Sequence, residues 1–117
     1  MPKASRDKGN RREREAAKTL HEMGINARRT YSVQSAHAGN ADLITENVAG
    51  RIAWEIKGCE DLRMTQWLRQ LEAQREHYGD SMNLLAFKQS RRPFMYLGYL
   101  DQLPTTARII HPFLSDG

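Results

Sequence analysis

The feature that most constrains the fold is a six-residue segment near the middle of the chain, IAWEIK. A β-strand points successive side chains to opposite faces, which places Ile52, Trp54 and Ile56 on one face. Glu55 and Lys57 fall on the other face. The segment is therefore predicted as a strand with one face in the core and two opposite charges on its other face.

Two helices are indicated by the signals at their ends. Asn10 can cap a helix with Glu13 three residues later, and Gly24 is a stop signal, so the first helix is predicted over residues 11–23. The second helix is predicted over residues 65–78, where an apolar stripe should face a sheet.

The remaining segments complete an α-β-β-β-α-β-β order. Short strands are predicted over residues 27–33, 41–45, 82–87 and 94–100, and a turn over residues 46–51 joins two strands as a hairpin. This order predicts an α/β fold with a central mixed β-sheet flanked by two helices. Residues 1–9 are predicted as a flexible basic arm and residues 10–117 as a single domain. Beyond Asp101 only a packed or trailing tail is predicted, because prolines and weak periodicity define no element there.

Positive charge is concentrated at the N-terminus. The first eighteen residues contain seven lysines and arginines against three acidic residues, which accounts for the whole formal net charge of +4. A basic end favours a DNA backbone as partner, because neutralised phosphates release condensed counterions. A solvated helix face and tail is the alternative explanation of this charge. If DNA is the partner, the residues expected to contact it are Lys8, Arg11, Arg12 and Arg14.

Several classes of protein are excluded by the composition. The single cysteine, Cys59, rules out an internal disulfide and a multi-cysteine zinc site. No apolar run approaches the roughly 18 residues needed to span a bilayer, and the N-terminus lacks the apolar region of a signal peptide. The four histidines have no metal-ligand spacing. We therefore expect a cytoplasmic protein with no membrane partner.

Three acids from separate segments are expected to meet at one end of the sheet. Glu13 lies on the apolar stripe of the first helix and points toward the sheet, whereas Glu15 points to water. The hairpin brings Asp42 close to Glu55. Lys57 projects beside them, although an acid and a lysine two residues apart on a strand also describe an ordinary surface ion pair.

A divalent metal ion is the natural partner of such a cluster. Clustered carboxylates raise one another's pKa unless a cation lies among them, and a hard cation prefers oxygen ligands. Mg²⁺ fits this set best, and Mn²⁺ is expected to substitute for it. The ion would polarise a phosphodiester, while Lys57 would position or deprotonate the attacking water or neutralise charge developing on phosphorus. The sequence thus predicts a metal-dependent DNA endonuclease with Glu13, Asp42, Glu55 and Lys57 as catalytic residues.

The order of these motifs resembles the PD-(D/E)XK nuclease superfamily. Glu13 comes first, GNAD ending at Asp42 comes second, and EIK beginning at Glu55 comes third, with Ala41 in the place of the proline. The run KGNRRERE around Glu13 more narrowly resembles the N-terminus of archaeal-type Holliday-junction resolvases. The likeness extends over roughly residues 8–100 and implies a restriction-endonuclease-like core.

The resemblance also implies a role for each motif residue. Asp42 and Glu55 are implied as direct metal ligands, helped by the backbone carbonyl of Ile56, while Glu13 binds the metal directly or through water. Lys57 is implied as the catalytic lysine.

Two further positions follow from resemblance alone. Resolvases of this type carry a serine in the loop before the aspartate, to which Ser32 or Ser35 corresponds; we include Ser35 among the DNA-binding candidates. Gln74 and Tyr78 resemble the Gln-xxx-Tyr motif of the exonuclease branch of the superfamily, so Gln74 is a further site candidate. The alternative for Gln74 is a polar residue at the margin of a packed helix.

Three hypotheses of function follow. The first is a structure-selective endonuclease that cuts branched DNA, above all a Holliday junction, because the chain has no added sequence-reading domain. A junction has two strands to cut symmetrically, which implies a homodimer. The second is another nuclease of the superfamily, which would prefer linear or flap DNA. The third is a non-catalytic DNA-binding module, which would bind DNA without metal-dependent cutting.

Overall fold

The structure, a computed structural model, describes residues 3–30, 41–58, 60–77 and 79–114, with side chains from Asn10 onward. These residues form three α-helices and a five-stranded sheet. The elements in chain order are α1 (Lys3–Glu22), β1 (Arg28–Arg29), β2 (Leu43–Asn47), β3 (Gly50–Gly58), α2 (Met64–His77), β4 (Ser81–Lys88), β5 (Met95–Gly98), a 3-10 turn (Leu100–Gln102) and α3 (Leu103–Leu114).

The sheet is mixed, and its strands lie in the order β1-β2-β3-β4-β5. The central pair β3–β4 is parallel and the other neighbours are antiparallel, so that α2 forms the crossover between the two parallel strands. The predicted α-β-β-β-α-β-β order and the mixed sheet are confirmed. A third helix follows them, and it was not predicted.

The first helix is longer than predicted. α1 begins at Lys3, and Asn10, which we predicted as its cap, lies inside the helix. Lysine, arginine and alanine upstream favour helix, and the roughly 1 kcal/mol that Gly9 costs is not enough to end it. The backbone of residues 3–9 is therefore helical, while the division into an arm and a domain stays a prediction. The C-terminal end of α1 lies within one residue of the predicted position 23, since α1 stops at Glu22. Gly24 follows it with a φ of 90°.

Helices cover both faces of the sheet. α1 and α3 pack on the face that carries Ile52, Trp54 and Ile56, as the alternation in β3 predicts. On the opposite face, Trp67 and Leu71 of α2 pack against β4. Glu55 and Lys57 therefore lie on the same side of the sheet as α2. None of the described helices is long and apolar enough to cross a membrane.

The segment after Asp101 forms part of the core. α3 places Ile109 at 0% exposure in the main apolar cluster, and Asn47 Nδ2 donates to the Ile109 carbonyl at 2.8 Å. Its two prolines do not break it. Pro104 lies in the first turn, where an amide hydrogen has no helical acceptor. Pro112 lies inside the helix and lacks the amide hydrogen for one helical hydrogen bond, yet the helix continues to Leu114.

Candidate active site

Asp42 and Glu55 are brought together by the pairing of β2 with β3. Leu43 pairs with Trp54 in the antiparallel register, and the Asp42 amide donates to the Trp54 carbonyl at 2.8 Å. The Asp42 side chain turns back to β3, where Oδ2 accepts a hydrogen bond from the Ile56 amide at 2.8 Å. The two acids are thus neighbours on adjacent chain segments, as the hairpin predicted.

Glu55 is held from two sides. Its Oε1 accepts a hydrogen bond from Gln74 Nε2 at 2.8 Å, and its Oε2 lies 3.5 Å from Lys57 Nζ. Gln74 reaches Glu55 because it shares the buried stripe of α2 with Trp67 and Leu71. The Glu55 residue is 9% exposed, so this pair is not a surface ion pair.

Glu13 approaches the same place from α1. Its side chain is 20% exposed and forms an ion pair with Arg29, whose Nη2 lies 3.1 Å from Glu13 Oε1. The same Arg29 nitrogen donates to Asn10 Oδ1 at 3.0 Å. Glu15 is more exposed, at 42% of its side chain, in agreement with the helix-face prediction.

The pKa values of Asp42 and Glu55 are both raised, partly because other acids lie close to them. Burial, followed by the charge of Glu55, raises the pKa of Asp42 to about 8, against the lowering effect of the Ile56 amide. Burial also raises the pKa of Glu55, while the charge of Lys57 opposes this rise. The charge of Glu13 raises both pKa values. The three carboxylates therefore interact, and their negative charge is incompletely compensated by the protein.

This donor set fits a hard divalent cation. Carboxylate oxygens are its preferred ligands, and a cation would relieve the repulsion that raises the pKa of Asp42. The described residues contain no group of three His, Cys, Asp or Glu side chains placed to hold a metal ion by themselves. An ion at this place would therefore need backbone or water oxygens in addition to the side chains.

The predicted DNA-binding residues differ in their surroundings. Arg11 and Arg14 are exposed on α1, whereas the Arg12 side chain is only 15% exposed. Four of the predicted residues lie outside the part of the chain that the structure describes in full. Ser32, Ser35 and Tyr78 are not among the described residues, and the side chain of Lys8 is not described.

Arg29 is the residue at the site that sequence reasoning missed. It contacts Glu13 from β1 and so brings a second cation close to the acids besides Lys57. The available signal was an arginine pair, Arg28-Arg29, in a segment predicted as a strand. Alternation alone does not tell which arginine faces the helix, because that depends on how α1 crosses β1.

Comparisons with known proteins agree with this geometry. A sequence model of the archaeal Holliday junction resolvase family, Hjc, matches residues 4–111. Among solved structures, Hjc of Archaeoglobus fulgidus, a Holliday junction resolvase from an archaeal hyperthermophile determined at 1.6 Å, superposes with a TM-score of 0.57. The two chains are 22% identical over 78% of this chain and 72% of that one, so the likeness concerns the fold. Comparison with curated protein sequences gives no match.

A mixed sheet with an acid before β2, an acid and a lysine on β3, and an acid on the first helix defines a nuclease of the PD-(D/E)XK type. The family match covers almost the whole chain. This protein belongs to the archaeal Holliday junction resolvase family, Hjc, whose members are endonucleases that act on branched DNA. Enzymes of this family depend on divalent metal ions.

Proposed function

We propose that Glu13, Asp42, Glu55 and Lys57 form the active site with which this resolvase hydrolyses phosphodiester bonds at a four-way junction. The observation that carries the proposal is the contact of a buried acid, Glu55, with a partly buried acid, Asp42, beside a lysine that lies 3.5 Å from Glu55. A structural ion pair needs one acid for one lysine. Additional buried acids are costly for folding and need another reason to be present.

Mg²⁺ is the proposed metal ion, with Mn²⁺ as a substitute, because the donors are oxygens of carboxylates. Asp42 and Glu55 would hold it together with the backbone carbonyl of Ile56, and Glu13 would contribute through water or directly. When bound, the ion supplies the positive charge that polarises the phosphodiester and lowers the pKa of water.

The protein's own groups prepare the reaction. Lys57 Nζ stands beside Glu55 and can orient the attacking water or neutralise charge that develops on the phosphate. Gln74 holds the Glu55 carboxylate in one orientation, and Arg29 does the same for Glu13. Each acid therefore has a partner that fixes it before substrate arrives, which reduces the reorganisation needed during the reaction.

A four-way DNA junction as substrate would explain the basic residues around Glu13 and implies a homodimer. Lys8, Arg11, Arg12 and Arg14 precede or flank Glu13 in sequence, so phosphates bound by them would approach the acids. Ser35 is proposed as a further DNA contact. Symmetric resolution needs two cuts, so we propose a homodimer with two active sites, working in the cytoplasm.

The test is a comparison of substrates and of one variant. The protein is incubated with Mg²⁺ and with four-way, flap, linear and single-stranded DNA, alongside Glu55→Gln. We expect paired, Mg²⁺-dependent cuts in the four-way junction by the parent and no cuts by the variant. Preferential cutting of linear or flap DNA would reject junction selectivity. Equal cutting by Glu55→Gln would reject the site.

A further inference from the structure

Arg12 occupies a different environment from its exposed neighbours on α1. Its side chain is 15% exposed and crosses the backbone at Gly58, where β3 ends. A Cβ atom built on Gly58 would stand 2.3 Å from Arg12 Nε and 2.6 Å from both Cγ and Cδ. Arg12 therefore occupies a space that only glycine leaves free, one residue beyond Lys57.

The guanidinium of Arg12 is held at one end and has unused donors. Its Nη1 donates to Glu15 Oε1 at 2.7 Å, while its Nε is buried without a hydrogen-bond partner among the described residues. Arginine carries five N–H donors in a planar fork that matches the geometry of a phosphate. Burying such a group with an unsatisfied donor is unfavourable for folding, so its retention points to a ligand that supplies acceptors.

The other cations at the site are engaged by the catalytic acids. Lys57 lies 3.5 Å from Glu55, and Arg29 lies 3.1 Å from Glu13. Arg12 pairs instead with Glu15, whose side chain is 42% exposed, and water weakens an ion pair in such a place. The positive charge of Arg12 therefore remains available to a phosphate that approaches a site rich in carboxylates.

We propose that Arg12 binds the phosphate next to the scissile one on the strand being cut, and that Gly58 and Glu15 are positioning residues for it. The inference rests on the proposed function, because Lys57 marks the scissile phosphate. Gly58 follows Lys57 on β3, and successive residues of a strand face opposite sides of the sheet, so Arg12 lies beside the place of Lys57 and not at it. A phosphate bound by Arg12 would therefore be a neighbour of the scissile one.

A double-mutant cycle tests how Gly58 acts. Arg12→Ala should raise KM for a four-way junction about tenfold, as expected for the loss of a charge-assisted contact, with kcat changed less than about twofold. Gly58→Ala should raise KM similarly, because its new methyl group displaces Arg12. In the Arg12→Ala background, Gly58→Ala should add nothing. Additive effects would overturn the positioning role of Gly58.

A neutral phosphate analogue tests which phosphate Arg12 binds. Junctions carry one methylphosphonate at each position around the branch in turn, and binding is measured by fluorescence anisotropy in EDTA, where no cutting occurs. At one phosphate next to the cut, the parent should lose about tenfold in affinity while Arg12→Ala loses nothing further. Arg12→Lys, which keeps the charge without the fork, should fall between the two.

The controls separate this inference from the proposed function. Arg108→Ala removes an exposed arginine on α3 and should match the parent in KM and in its methylphosphonate profile. Melting temperatures of all variants verify that they are folded. If the parent and Arg12→Ala lose equally at every position while Mg²⁺-dependent cutting is intact, the role of Arg12 is overturned. If the parent does not cut at all, the proposed function itself fails.

Discussion

Gln74 Nε2 donates a hydrogen bond to Glu55 Oε1 at 2.8 Å, so a residue of α2 fixes an acid on β3. The other polar atom of the same amide, Gln74 Oε1, is buried and makes no hydrogen bond within the described part of the chain. The carboxylate can only accept, which requires the amide nitrogen of Gln74 to face it and leaves the amide oxygen directed elsewhere. Gln74 therefore contacts Glu55 directly, and its role at the proposed site stays a prediction.

Gln74→Leu should lower kcat about tenfold while KM stays within about twofold, because it frees the orientation of Glu55 without removing a charge. Steady-state kinetics on a four-way junction measure both constants. Gln70→Leu, an exposed glutamine on the same helix, is the matched control and should behave like the parent. A rise in KM without loss of kcat would show that Gln74 contacts DNA instead.

Asp42→Asn and Glu55→Gln should each abolish cutting, with a loss of at least about a thousandfold, because the amide keeps the shape but not the charge that a divalent ion needs. Junction binding in EDTA should persist or tighten slightly, since less negative charge faces the phosphates. Gel-shift and single-turnover assays measure the two properties. Glu76→Gln, an exposed acid on α2, should cut normally.

Lys57→Ala should remove most of the cutting rate and leave metal binding largely intact, because the role proposed for Lys57 is toward water or developing charge and not toward the metal ion. Isothermal titration with Mn²⁺ reports metal binding, and single-turnover cutting reports the rate. Loss of metal binding in Lys57→Ala would instead assign Lys57 to holding the acids in place.

The stability of the metal-free protein should fall as pH rises between about 4 and 8. Burial and Glu55 raise the pKa of Asp42 from its ordinary 3.8 to about 8 in the folded state, so the folded state binds the proton more tightly than the unfolded state. The stabilisation is complete below pH 4 and is lost as pH rises through the folded pKa. Melting temperatures in EDTA at several pH values should therefore show a smaller decline for Asp42→Asn than for the parent. An identical decline in both proteins would contradict the raised pKa.

Ile109→Ala should destabilise the protein by about 2–5 kcal/mol, the usual cost of emptying a buried isoleucine site. Urea unfolding measures the change. His111→Ala, an exposed position on the same helix, should change stability by less than about 0.5 kcal/mol. If Ile109→Ala were equally mild, α3 would not belong to the cooperative fold.

The sheet and the acid cluster were predictable because they depend on short-range patterns. Alternation in β3 assigned Ile52 and Glu55 to opposite faces, and a short turn brought Asp42 beside Glu55. Helical spacing likewise separated Glu13 from the more exposed Glu15. Such patterns determine which side of an element a residue occupies.

The missed features depend on how separate elements cross. Arg29 meets Glu13 only because α1 passes over β1, and Arg12 meets Gly58 only because α1 reaches the end of β3. α3 escaped prediction for a different reason. With Pro104, Pro112 and weak periodicity after Asp101, no element was predicted there, although Pro104 lies in the first turn, where proline is tolerated, and Pro112 does not end the helix.

The tight turn between β2 and β3 fixes the register of the hairpin and thereby the relative position of Asp42 and Glu55 at its far end. Asn47 pairs with Gly50, so two residues, Val48 and Ala49, fix which atoms face each other along both strands. Val48 is fully exposed, so its identity is free to vary. A residue is nevertheless required at this position. Without it the register would slip by one residue, and the slip would carry Asp42 to the other face of the sheet. The distance between the two acids is thus set by a count of residues at the opposite end of the hairpin.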